Sequence, residues 1–232
     1  MFKGGYIEKG LQAGSMKNYR EIFGNIDTEY YRKAAERFLP EKIRVLFIFE
    51  SPPFPPPVDP ITKIENPGWS YFYRFETKGS NNLRREVCRA VFNKKIFDHK
   101  SFLNEFCEQG YFLIDAVSYP INRIIEENKN KVKINSKGDV DNKEREEIIV
   151  SEANNLIKTI EYWADRSKTK ISKIRTLLVK VSVFNGLIVS DNSFRQKCQN
   201  NEYNVLNDHQ IPFPMVPHNK KFIADVRELL NL

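Results

Sequence analysis

Three short, nearly unbroken apolar runs stand out along a polar chain: IRVLFIFE (43–50), YFLIDAV (111–117) and IRTLLVK (174–180). Each has strand length and does not alternate. Charge, glycine or proline bounds it. Such runs mark strands buried on both faces, as in a parallel sheet. NEYNVLND (201–208) is a weaker fourth candidate. Apolar residues at three- and four-residue spacing predict helices between the strands. TEYYRKAAERFL is one, capped by Asp27 or Thr28 and ended by Pro40. Residues 80–93 and 98–109 give two more, the second stopped by Gly110. A long helix runs from about Asp141 to Arg166, with Ile148, Ile149, Ala153, Leu156, Ile157, Ile160 and Trp163 on one side. SVFNGLIVS and KKFIADVRELL complete the set. Strands alternating with helices predict a three-layer α/β/α fold around a central, mostly parallel four-stranded sheet.

The pattern also divides the chain. Residues 1–25, rich in Gly, Lys and Tyr, read as an extended arm, and 26–232 as a single domain. Residues 123–147 carry seven basic and seven acidic side chains, which predicts a solvated, charge-balanced insertion near 123–145.

In open parallel sheets, ligands bind outside the carboxyl ends of the strands. The candidate loops are therefore 50–54, 115–123 and 212–219. Glu50 leaves the first strand and Asp115 the second, each directly after an apolar run. A carboxylate there is costly to bury without a partner or a purpose. It either accepts loop N–H bonds or serves as a base or electrostatic stabiliser in a cleft. Two such carboxylates at neighbouring strand ends would face one crevice. They could also hold Mg²⁺, but neither has the lysine two residues on that a metal nuclease pattern would add. The segment after Glu50, SPPFPPPVDP, holds six of the twelve prolines and must be a stiff loop. No GxGxxG or P-loop is present, so no nucleotide cofactor is expected.

Five aromatics fill seven positions from Trp69 to Phe75, around Arg74. Aromatics beside a basic residue can stack on exposed bases; core packing is the alternative for Phe72 and the tyrosines. Residues 83–100 carry six basic and two acidic side chains, and 165–180 six and one. If a polyanion is the partner, these two segments should flank the crevice of Glu50 and Asp115.

Composition narrows the classes. In 232 residues, 41% are hydrophobic and 12% aromatic, which excludes a disordered chain. No stretch approaches the roughly 20 apolar residues of a membrane helix. MFKGGYIEKG lacks a signal-peptide core. Cys88, Cys107 and Cys198 are odd in number and form no CxxC pair. That excludes a four-thiolate cluster and predicts reduced thiols in a cytoplasmic protein. His99, His209 and His218 are too scattered for a metal site, so no metal is expected. The net charge of +7 favours an acidic partner such as DNA, or serves solubility alone.

The strand-end loops resemble those of the uracil-DNA glycosylase superfamily. Its iron–sulfur branch has Gly-Glu-Ala-Pro-Gly after the first strand. Here Phe49-Glu50-Ser51-Pro52-Pro53 keeps the Glu and the first Pro without either glycine. FLIDAVSYPINR resembles the second motif through Pro120, Asn122 and Arg123, with Asp115 in place of the family's Asn. TLLVKVSVFNGL is similar to the third strand and its helix start. Phe213-Pro214-Met215 takes the place of the family's His-Pro-Ser, and His218 lies four residues past Pro214.

The resemblance covers roughly residues 40–232. It implies a metal-independent, monomeric enzyme that cleaves the N-glycosidic bond of a flipped DNA base and leaves an abasic site. It further implies that Glu50 orients water and stabilises the cationic sugar. Ser51, Pro52 and Pro53 would shape the backbone loop. Phe72 would stack on the base. Tyr73, Asn122, Pro214 and His218 would complete the substrate contacts. Asp115 would meet the base edge, where an ionised carboxylate only accepts and a protonated one also donates. The rivals are a non-catalytic nucleic-acid-binding module, a hydrolase of free nucleosides, and a metal nuclease.

Overall fold

A computed structural model describes residues 17–23, 28–53, 71–75, 82–96, 98–121 and 128–232. The three apolar runs form strands β1 (Val45–Phe49), β2 (Tyr111–Asp115) and β3 (Arg175–Leu178); β4 is Asn204–Val205. The sheet order is β2-β1-β3-β4, and every strand pairing is parallel. The fold is three-layer α/β/α. Helices α1 (Tyr19–Phe23) and α2 (Glu29–Glu36) precede β1, while α3 (Asn82–Phe92) and α4 (His99–Glu108) join β1 to β2. The long α5 (Asn142–Arg166) leads from β2 to β3. Then come α6 (Val181–Phe184), a π-turn at Asn185–Ser190, α7 (Asn192–Gln199) and the terminal α8 (Asn219–Leu230).

Register explains the layers. Phe47 pairs with Leu113, and Leu46 with Phe112, so Phe47 and Phe112 point to opposite faces. Phe106 of α4 meets Phe47 and Tyr111 on one face; Trp163 of α5 meets Phe112 on the other. All five β1 residues are buried, as a run covered on both sides requires.

Helix starts follow acceptor side chains. Asp98, Asp141 and Asp191 accept from the backbone N–H groups of Ser101, Lys143 and Phe194. Thr28 makes no side-chain cap bond, and Asp27 lies outside the described residues. Gly110 stops α4 at φ +78°, where a Cβ would meet the Lys42 carbonyl oxygen at 2.8 Å.

The fourth strand is shorter than the pattern predicts. Asn207 supplies the reason: its carboxamide accepts from Leu178 N–H and donates to Leu178 C=O, replacing a ladder rung with a side chain. The polar stretch 123–147 is not uniformly solvated. Its described part closes a bridge between Ile134 and Val140, and α5 begins at Asn142. Glu144 and Arg145 on the first turn are buried. The arm (1–16 of it) and residues 122–127, with Asn122, fall outside the described residues. No helix among the described residues is long and apolar enough to cross a membrane.

Candidate functional site

Phe49 pairs with Asp115, and the pairing runs on past the strands. Ala116 N–H donates to Phe49 C=O, and Val117 N–H donates to Glu50 C=O. The two predicted residues therefore stand at neighbouring strand ends and interact electrostatically, but they do not share one crevice: Asp115 lines a cleft that Glu50 does not line. Their surroundings differ sharply.

Glu50 is 4% exposed and fully engaged. Its Oε2 accepts from Arg145 Nη1 at 2.6 Å and from Lys180 Nζ. Its Oε1 accepts from Ser182 Oγ at 2.5 Å. Burial alone would raise its pKa, but the nearby Lys180 and Arg145 charges outweigh that and hold it below the ordinary carboxylate value. Lys180 follows β3 at φ +88°, a backbone region that disfavours a side chain. Its N–H bond to Ile211 C=O and its ion pair with Glu50 hold it there. Burial, with Arg145 nearby, keeps its ammonium below the usual lysine value despite Glu50.

Asp115 is half-buried, and no hydrogen-bonding or charged partner among the described residues meets its carboxyl. Desolvation, then repulsion from Glu50, pushes its pKa up to about 8. The side chain is therefore mostly a neutral acid at pH 7. It lines a cleft of about 400 Å³, within the range of small-molecule sites. Tyr31, Tyr71, Tyr162 and Trp163 give the cleft aromatic walls, and Arg20 and Lys158 supply cations from α1 and α5. The Tyr31 and Tyr71 hydroxyls are pushed up by burial and by Asp115, so both stay protonated.

The proline loop meets this cleft. Pro52 lines it, and Pro53 C=O accepts from the Tyr31 hydroxyl at 2.6 Å. Ser51 Oγ is buried without a hydrogen-bond partner among the described residues.

Two aromatics expected at the substrate belong elsewhere. Phe72 is 2% exposed and packs edge-on against Phe102 and Phe106 of α4. Tyr73 is fully buried; its hydroxyl accepts from Leu113 N–H at 2.7 Å and donates to Leu113 C=O at 3.0 Å. The YFY turn points these two into the core and leaves Tyr71 on the cleft. Pro214 is buried and His218 exposed, and neither lines the cleft. Phe213 does reach the strand ends, packing on Phe49 and under the Lys180 ammonium.

The basic segments do not gather around Asp115. In 83–100, Arg89 pairs with Glu86 and Lys94 with Glu105. In 165–180, Lys180 serves Glu50, while Lys173 and Arg175 lie at the opposite end of the sheet. Cys88 and Cys198 have thiols pushed up to about 11 by burial, which makes them poor nucleophiles at neutral pH. No group of three or more His, Cys, Asp and Glu side chains placed to hold an ion occurs among the described residues.

Sequence reasoning misses Arg145 and Lys180, and it names Tyr71 among the stacking aromatics without separating it from Phe72 and Tyr73. The signal for Arg145 is periodic: the apolar stripe at Ile148, Ile149 and Ala153 extends back by helical spacing onto it. Comparison with family models, curated proteins and solved structures finds no match to this chain.

Proposed function

We propose that this protein is a DNA glycosylase-like hydrolase that takes an extruded nucleobase into the Asp115 cleft and cleaves its N-glycosidic bond. One observation carries this reading. Two carboxylates at adjacent strand ends have pKa values driven apart, Glu50 down and Asp115 up. Such a pair divides into a standing anion and a standing acid. The acid opens into an aromatic cleft, where a planar base stacks on Tyr71 or Tyr31.

The roles follow from protonation. Neutral Asp115 both donates and accepts, so it reads a base edge as an amide would. As the bond to the sugar lengthens, it passes its proton to the departing base; water then adds to the sugar cation at C1′, and the proton it loses returns to the Asp115 carboxylate. Glu50 is a poor base because its pKa is lowered, and it does not line the Asp115 cleft; bound to Arg145, Lys180 and Ser182, it is a positioning residue that holds the strand ends behind the cleft. Ser51 Oγ is an uncommitted group beside it. Arg20 and Lys158 would meet phosphates flanking the base.

A second reading is a base-binding module without catalysis. The full engagement of Glu50 by Arg145, Lys180 and Ser182 favours it. One experiment separates the two. The protein is incubated with single- and double-stranded oligonucleotides carrying uracil, hypoxanthine, xanthine or alkylated bases, and abasic sites are revealed with alkali. Alkali-labile sites formed with EDTA present support the hydrolase. Saturable oligonucleotide binding with no such sites supports the module. Neither binding nor product overturns both.

A further inference from the structure

We propose that the amino-terminal end of the sheet carries a second site, which binds a compact anion with two or more phosphoryl groups. A cleft of about 460 Å³ opens there, roughly 16 Å (one five-residue strand) from the strand ends that carry Glu50 and Asp115. Lys42, Arg44, Lys173 and Arg175 line it, and no carboxylate does. The sequence separates these four cations into two pairs more than 120 residues apart. The register unites them: Val45 pairs with Arg175, and Arg175 N–H donates to Arg44 C=O.

The cations are uncommitted. None of the four makes an ion pair among the described residues, whereas Lys17, Arg32, Lys94, Lys197 and Lys221 each meet an acid. Arg175 spends one N–H on Leu229 C=O, leaving the rest of its fork of five donors. The Tyr111 hydroxyl lies close enough to Arg175 and Arg44 for both to lower its pKa against the raising effect of burial.

Helices α4 and α5 end at this cleft, whose lining includes Gln109 and Thr169 just beyond their last turns. Helix carboxyl ends attract cations, but each is equivalent to only about half a negative charge. With the carboxyl end of α8, which Arg175 meets at Leu229 C=O, three helices offset about one and a half of the four positive charges. The remaining excess repels itself in a partly enclosed space and is neutralised by a multivalent anion. Guanidinium forks at Arg44 and Arg175 suit phosphoryl oxygens in particular. The size of the cleft and the local confinement of the charge favour a small polyphosphate over a long nucleic-acid backbone.

Isothermal titration of the full chain with inorganic tripolyphosphate tests this, with sodium chloride at matched ionic strength as the control. Saturable one-to-one binding is expected, weaker for orthophosphate. Arg44→Gln and Lys173→Gln should each weaken it by about tenfold. Both side chains are on the surface, so circular dichroism should remain that of the parent. Lys137→Gln, on the exposed turn between Ile134 and Val140 and on neither cleft, should leave tripolyphosphate binding unchanged. Absence of saturable heat, or equal affinity in the Arg44 and Lys173 variants, overturns the site. So does a single-stranded oligonucleotide that binds the same cations more tightly than tripolyphosphate, which would make the cleft a backbone contact. None of these results depends on glycosidic cleavage.

Discussion

Arg145 Nη1 lies 2.6 Å from Glu50 Oε2, although 95 residues separate them in the chain. The pair joins the first turn of α5 to the exit of β1, and both side chains are almost wholly buried. Arg145 Nε also donates to Val140 C=O, fixing the turn before the helix. One contact thus couples the polar segment to the carboxyl ends of the sheet.

Removing Arg145 should be costly. Glu50 would keep Lys180 and Ser182 but lose its most buried counter-charge. Arg145→Ala is expected to destabilise the fold by about 3 kcal/mol, the lower end for breaking a buried ion pair. Urea unfolding checks this through the midpoint at constant slope. A loss below about 0.5 kcal/mol would mean that water replaces the guanidinium without penalty.

Tyr73 closes a sheet edge. β2 is an outer strand, and the Tyr73 hydroxyl satisfies both the N–H and the C=O of Leu113, as a neighbouring strand would. Tyr73→Phe keeps the ring against Phe38 and Phe112 and removes only the hydroxyl. The expected loss is about 1–3 kcal/mol, from two backbone groups left unsatisfied. Faster amide exchange at Leu113 should accompany it, and unchanged exchange there would refute the edge role.

These two residues show what a linear pattern can and cannot reveal. Apolar runs ending in Glu50 and Asp115 were legible because burial on two faces needs continuous hydrophobicity, and a carboxylate interrupts it visibly. Helix α5 was legible from its stripe, within a residue at its start. The partners of Glu50 were not, because Arg145 sits inside a charge-balanced stretch and Lys180 lies 130 residues away. Their meaning exists only after β1 and β3 pair. The YFY turn was read for its aromatic content, and which ring faces the cleft depends on the turn's geometry. β4 shrank because a side chain, Asn207, does the work of backbone.

Gly186 marks a close approach between the π-turn and α5. A Cβ at Gly186 would lie 2.8 Å from Ile149 Cγ2, and Ile149 is wholly buried and cannot yield. Gly186→Ala should cost about 1–3 kcal/mol through overpacking. Combined with Ile149→Ala, the two losses should add to less than their sum, which a double-mutant cycle measures. Strict additivity would place the strain elsewhere.

Asp115 should leave a signature in stability against pH. Its pKa stands at about 8 in the fold against an ordinary 3.8, so between those values the folded chain holds a proton that the unfolded chain has released. Stability from this group therefore falls as pH rises from about 4 to about 8. Glu50 has the opposite sign: its contribution is present above its ordinary 4.5 and is lost as pH falls through its lowered folded value. Asp115→Asn should flatten the melting-temperature profile between pH 5 and 8, and the variant should be the more stable protein at pH 8. A wild-type profile without a decline over that window would show Asp115 to be ionised in the fold.

The same proton decides catalysis if the protein is the proposed hydrolase. A general acid with a pKa near 8 keeps its proton at neutral pH, so single-turnover cleavage should be flat up to about pH 7 and fall tenfold per unit well above 8. Asn at position 115 still donates and accepts at a base edge but has no proton to transfer. Asp115→Asn is therefore expected to hold oligonucleotide affinity within about threefold while slowing cleavage by about 10²–10⁴. Tyr71→Ala, which strips the stacking wall, should instead weaken binding and slow cleavage together. Wild-type cleavage by Asp115→Asn, with an unchanged pH profile, would remove Asp115 from the proton-transfer step and leave it a group that only recognises the base.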